Sequence, residues 1–138
     1  LTIEFIDDDT GWAGGGVIMR TLDGGHTWMV QVESATVREF AFIDSMTGYA
    51  AGGSTILKTV DGGTTWVETG PEDERVVDLR GLCFIDSTTG WAAGRGRTEY
   101  AGARVYNYSV LLSTVDGGMN WDVTEFGFDV TEPDAATE

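Results

Sequence analysis

Short stretches of alternating apolar and polar residues recur along the chain, each ending in a polar turn. Ile3 to Ile6 alternates and runs into Asp7–Thr10, which predicts a strand, A, followed by a turn. Gly11–Gly14 opens a second strand, B, whose small residues let neighbouring backbones approach closely. Val17–Leu22 reads as strand C and Thr27–Val32 as strand D. Between C and D stands Asp23-Gly24-Gly25, a tight turn. Its glycines can take positive φ, and its aspartate is placed to accept bonds from the turn's own amides.

The pattern then repeats. Phe5-Ile6-Asp7, Thr10-Gly11-Trp12-Ala13 and Thr21-Leu22-Asp23-Gly24-Gly25-His26-Thr27-Trp28 return as Phe42-Ile43-Asp44, Thr47-Gly48-Tyr49-Ala50 and Thr59-Val60-Asp61-Gly62-Gly63-Thr64-Thr65-Trp66. They return again as Phe84-Ile85-Asp86, Thr89-Gly90-Trp91-Ala92 and Thr114-Val115-Asp116-Gly117-Gly118-Met119-Asn120-Trp121. The spacing is 38 residues from Asp23 to Asp61 and 55 from Asp61 to Asp116. Four antiparallel strands in about 40 residues make one β-propeller blade. The fold class is therefore all-β: a single propeller domain of three four-stranded blades, at about 1–34, 35–72 and 76–125, with a flexible tail at 127–138.

The Thr-x-Asp-x-Gly-x-Thr-Trp turn matches the Asp-box, or BNR, repeat, with Asn120 replacing Thr in the third copy. The longer phrase Phe-Ile-Asp-x-x-Thr-Gly-Trp-Ala-x-Gly…Thr-x-Asp-Gly-Gly-x-Thr-Trp resembles the photosystem II stability/assembly factor-like family over roughly residues 3–125. That resemblance implies a propeller that holds a protein partner or helps to assemble a complex, on the periplasmic, lumenal or secreted side of a membrane. Asp boxes also occur in sialidases, some glucanases and sorting receptors, so function stays open. Asp23, Gly25 and Trp28, with Asp61, Gly63 and Trp66 and with Asp116, Gly118 and Trp121, are expected to be scaffold, tying turns and packing blades.

Charge narrows the partners. Asp and Glu number 23 against 8 Lys and Arg, a formal charge of −15, which repels phosphate backbones and argues against nucleic acid. No apolar run is long enough to span a membrane. Cys83 is the one cysteine, so no internal disulfide forms; within Leu82-Cys83-Phe84-Ile85 it reads as a small buried residue. His26 is the one histidine and lies in a repeated turn, a poor place for a catalytic base. Asp7-Asp8-Asp9 offers hard oxygen ligands, but it lacks a full ligand loop and reads as a solvated turn. No metal or cofactor is expected.

Alternating strand direction puts the A–B and C–D turns on one edge and the B–C and D–A connections on the other. The first edge is nearly constant between blades; the second varies. The third B–C connection is longer than the second by 13 residues. The insertion, 95–108, holds Arg95, Arg97, Tyr100, Arg104, Tyr106 and Tyr108, while Arg38, Arg75 and Arg80 lie on or beside D–A connections. Tyr and Arg bring large contact area and forked hydrogen bonding, so these nine residues are the candidate binding set. The competing reading is a long hairpin that extends strands B and C, with its arginines paired to Glu72, Asp73, Glu74 and Asp78.

Three blades are fewer than the four to eight of a familiar closed ring. An open arc bares an apolar sheet face at each end, and such faces mark interaction surfaces. The arithmetic favours a homodimer closing a six-bladed ring, against a piece of a longer propeller or an open assembly. A non-catalytic scaffold for protein binding or complex assembly is the leading function. A sialidase-type or other glycoside hydrolase, and a structural protomer of an extracellular assembly, are the alternatives. The hydrolase needs an arginine cluster, a tyrosine nucleophile and an acid in a fixed arrangement that no motif here supplies.

Overall fold

The computed structural model describes residues 1–100 and 102–126, with the side chains of 98–100, 103–108 and 126 outside that description. Among the described residues every regular element is a strand. Blade 1 comprises β1 (Thr2–Phe5), β2 (Gly11–Gly14), β3 (Ile18–Thr21) and β4 (Met29–Val32). Blade 2 comprises β5 (Glu39–Phe42), β6 (Gly48–Gly52), β7 (Thr55–Thr59) and β8 (Val67–Gly70). Blade 3 comprises β9 (Val76–Phe84), β10 (Gly90–Tyr100), β11 (Ala103–Thr114) and β12 (Asp122–Phe126). Each sheet is an antiparallel meander in chain order. The expected strands of blade 1 stand within two residues of those observed; the tail at 127–138 lies outside the described residues.

Because side chains alternate across a strand, each blade has two faces, and the core lies between blades. One cluster joins Trp12 and Ile18 of blade 1 to Phe40 and Ala50 of blade 2, with Phe42, Leu57 and Trp66 packed against it. The second joins Tyr49, Ala51 and Ile56 of blade 2 to Leu82, Ala92, Val110 and Leu112 of blade 3, with Phe84 and Trp121 alongside.

Both joints use one device. Trp12 on β2 stacks on Phe42 at 3.5 Å and 11°, and its Nε1–H donates to the Gly62 carbonyl at 3.0 Å. Tyr49 on β6 stacks on Phe84 at 3.8 Å and 5°, and its hydroxyl donates to the Gly117 carbonyl at 3.0 Å. A cation from the neighbouring strand lies over each ring: Arg20 at 5.7 Å from the Trp12 centroid and Lys58 at 5.4 Å from that of Tyr49. Lys58 also donates to the Gly117 carbonyl at 3.1 Å. An aromatic ring from one blade thus reads both a Phe ring and a turn carbonyl of the next.

Backbones meet closely four residues after the glycine that opens strand B in blades 2 and 3. A Cβ added at Gly52 would strike the Thr36 carbonyl, and one added at Gly94 the Asp78 carbonyl, as the small-residue pattern of strand B implies. Bonds from Val37 N–H to the Gly15 carbonyl and from Leu79 N–H to the Gly53 carbonyl then tie each blade to the one before it.

Cys83 departs from expectation: it is exposed. The apolar run containing it obeys the period-two pleat, with Leu82 buried and packed toward blade 2 while Cys83 points the opposite way. Ala41, its counterpart in blade 2, packs against the next blade; blade 3 has no described blade beyond it.

Candidate functional site

The constant edge is a hydrogen-bonded scaffold. In the three Asp-Gly-Gly turns both glycines have positive φ, near 72° for the first and 90–95° for the second, a region that other side chains rarely adopt. Gly63 is held further, because a Cβ there would also meet Trp12 Nε1. The buried hydroxyls of Thr21, Thr59 and Thr114 accept from the amides of Gly25, Gly63 and Gly118 at 2.8–2.9 Å. Each also donates to its aspartate at 2.8 Å: Asp23, Asp61 or Asp116. The far carboxylate oxygens accept from the hydroxyls of Thr27 and Thr65 at 2.6 Å and from Asn120 Nδ2 at 2.9 Å. Asn120 therefore replaces Thr without losing the bond.

These bonds hold all three carboxyls down to about 2, the side-chain donors Thr27, Thr65 and Asn120 being the largest cause. The A–B turns work similarly. Asp7, Asp44 and Asp86 each cap two backbone amides at 2.7–2.9 Å. Gly24, Gly62 and Gly117 then donate N–H bonds at 2.9 Å to the carbonyls of Asp9, Met46 and Thr88, locking the two turns of each blade together. Among the described residues no group of three His, Cys, Asp or Glu is placed to hold a metal ion.

The variable edge gathers the arginines. The 95–108 segment is a hairpin in which β10 and β11 run on past the other strands, with Gly96 opposite Tyr108 and Tyr100 opposite Ala103, turning at Gly102 with φ 84°. Arg104, Tyr106 and Tyr108 lie on β11, and Tyr100 ends β10; the contacts of these four side chains lie outside the described residues.

At the hairpin's base the structure brings Arg38, Arg75, Arg80, Arg95 and Arg97 together. Asp78, which is buried, accepts from Arg38 Nε at 2.8 Å and from Arg80 at 2.8 and 3.0 Å. Burial opposes ionisation of Asp78, but the two guanidinium groups outweigh it and hold the carboxyl below its usual range. Arg75 grips Asp73 through two bonds at 2.7 and 3.0 Å, which lowers that carboxyl too. Arg97 donates to the Glu74 carbonyl at 3.1 Å, and its amide to the Arg75 carbonyl at 2.8 Å. Arg95 is exposed opposite Asp78 in the β9–β10 register.

The extended-hairpin reading thus describes the backbone; Asp73 and Asp78 are paired with Arg75, Arg38 and Arg80 on or beside the D–A connections, while Arg97 of the hairpin reaches the Glu74 backbone. Sequence reasoning placed Asp78 among several acids; its role as the hub joining blades 2 and 3 follows only from the packing. It also missed an open groove of about 480 Å³ between Ser54, Glu68, Glu72, Glu74 and Arg97, formed where the 71–74 connection passes the hairpin.

No protein-family model and no curated protein matches the chain. Solved structures do. A structure described as YCF48 bound to D1 peptide superposes with a TM-score of 0.65 at 23% identity, over 89% of this chain and 38% of that one. YCF48 from Cyanidioschyzon merolae gives 0.63 at 21%, over 88% and 35%. The chain is a β-propeller arc. It spans little more than a third of those propellers, so what it shares with them is the blade fold and the radial packing of successive blades.

Proposed function

We propose that this arc is a non-catalytic protein-binding scaffold whose ligand, an extended and acidic polypeptide segment, lies along the β10–β11 hairpin. The observation that carries the reading is the convergence of five arginines at the base of that hairpin in a chain of net charge −15. Three of the five, Arg38, Arg75 and Arg80, are paired with Asp78 and Asp73, and the guanidinium fork of the exposed Arg95 matches a carboxylate. The YCF48 structure with a bound D1 peptide supports the class of ligand. Tyr100, Arg104, Tyr106 and Tyr108 are proposed to complete the contact from the hairpin's outer half.

The same reading takes the three Asp-Gly-Gly turns as Asp boxes of purely structural use. It takes the protein as an assembly factor of the photosystem II factor-like kind, acting outside the cytoplasm, and the arc as half of a homodimeric six-bladed ring. Fluorescence anisotropy with a labelled acidic peptide and a basic one of equal length tests the ligand. The acidic peptide should bind, and changing Arg95, Arg97 and Arg104 together to Ala should abolish binding with the circular dichroism spectrum unchanged. Undiminished binding by that triple variant, or preference for the basic peptide, overturns the reading.

A further inference from the structure

The chain closes the same joint twice and leaves both of its halves open at its ends. The outgoing half is repeated on blade 3. Trp91 holds the position of Trp12 and Tyr49, yet it is 37% exposed where they are fully buried. Leu111 and Cys83, on the same face, are exposed beside it. The incoming half is repeated on blade 1. Phe5 holds the position of Phe42 and Phe84, and the Gly24 carbonyl that of Gly62 and Gly117. Phe5 lies over Gly11 and meets the edge of its own blade's Trp28 at 6.1 Å and 83°, as Phe42 and Phe84 meet Trp66 and Trp121, but among the described residues no ring stacks on it. Ile3 and Val30 lie exposed on the same face.

We propose that these halves meet between two copies of the chain, Trp91 of one stacking on Phe5 of the other and donating its indole N–H to the Gly24 carbonyl. The inference rests on the homo-oligomer reading above and assigns its joint. The match is in chemistry as well as shape. Both internal joints demand a flat aromatic donor on one side and a Phe ring with a free-facing turn carbonyl on the other, and each end of the arc supplies the part that the opposite end lacks. The joint between copies differs in one respect. Arg20 and Lys58, which lie over the internal aromatic residues, are replaced by Ser113, opposite Trp91 in the β10–β11 register. It therefore has the stack and the bond without the cation. With −15 on each copy, raising ionic strength should tighten association rather than weaken it.

Light scattering on the full chain tests this with two variants, Trp91→Asp and Phe5→Glu. The wild type is expected to give twice the mass of one chain. Each variant alone, with both joints damaged, should give a folded monomer by circular dichroism. An equimolar mixture should regain the dimer, because one of its two joints pairs an unaltered Trp91 with an unaltered Phe5. A wild-type monomer at every concentration overturns the joint and the homo-oligomer reading together, and leaves the two faces to a different blade. A wild-type dimer that persists in both variants, or variants that do not complement, overturns this joint while the homo-oligomer stands. If Phe5→Glu unfolds, Phe5→Ala takes its place in the same mixture.

Discussion

Tyr49 and Trp91 occupy the same place in successive blades, but Tyr49 is sealed between sheets and Trp91 keeps more than a third of its surface in solvent. Their own blades treat them alike: each follows the glycine that opens strand B and faces strand C across the sheet. The difference lies wholly in the blade beyond. In this architecture a side chain's burial is set by its neighbour in the next repeat, so stability is built joint by joint, as in other repeat proteins. Trp91 and Phe5 are exposed where no further blade is described beside them.

The largest test of that contrast is truncation of the aromatic residues. Trp12→Ala removes a buried stack and its hydrogen bond and should cost about 3–5 kcal/mol in urea unfolding. Trp91→Ala, measured where the chain is monomeric, should cost no more than about 1 kcal/mol. Equal losses would mean that the internal joints are not what holds the arc together.

Next in size is the turn scaffold. Thr59→Val leaves the buried Gly63 amide without its acceptor and should cost about 1–3 kcal/mol by the same measurement. Smaller still, Tyr49→Phe keeps the stack and loses one bond, about 0.5–1.5 kcal/mol, since Lys58 still serves the Gly117 carbonyl.

The subtlest effect is on pH. Asp61 ionises more readily in the folded chain, near 2, than at its ordinary 3.8. The stability it contributes is whole above about 3.8 and is lost as pH falls through about 2. An Asp61→Ala variant should therefore be less stable than wild type near neutrality, with the gap closing over that window. A gap that stays constant to the acid end would sever the carboxylate from the turn's stability.

What could be read from the sequence divides along the same line. Residues that satisfy local geometry announce themselves: the Asp-Gly-Gly turns with their Thr partners, the glycines where backbones touch, and the alternation that marks each strand. The blade count and strand positions followed from them. Residues whose role depends on the next blade do not announce themselves. No motif marks Arg20 and Lys58, whose place is set by the rings beneath them, and Asp78 is one acid among several until Arg38 and Arg80 close on it. Cys83 is exposed, against the reading of its apolar run, for the same reason. An apolar run in a strand buries both faces only where both have neighbours, and blade 3 shows one.

That residue also provides the most direct measurement. Cys83 stands on the open face beside Trp91 in the β9–β10 register, and its thiol is the chain's one thiol. Its rate of reaction with a water-soluble maleimide, followed as chain concentration rises, reads whether a second copy covers that face. The joint proposed here requires the rate to fall with concentration and to stay high throughout in Trp91→Asp. A wild-type rate independent of concentration, in a range where light scattering reports a dimer, would contradict it.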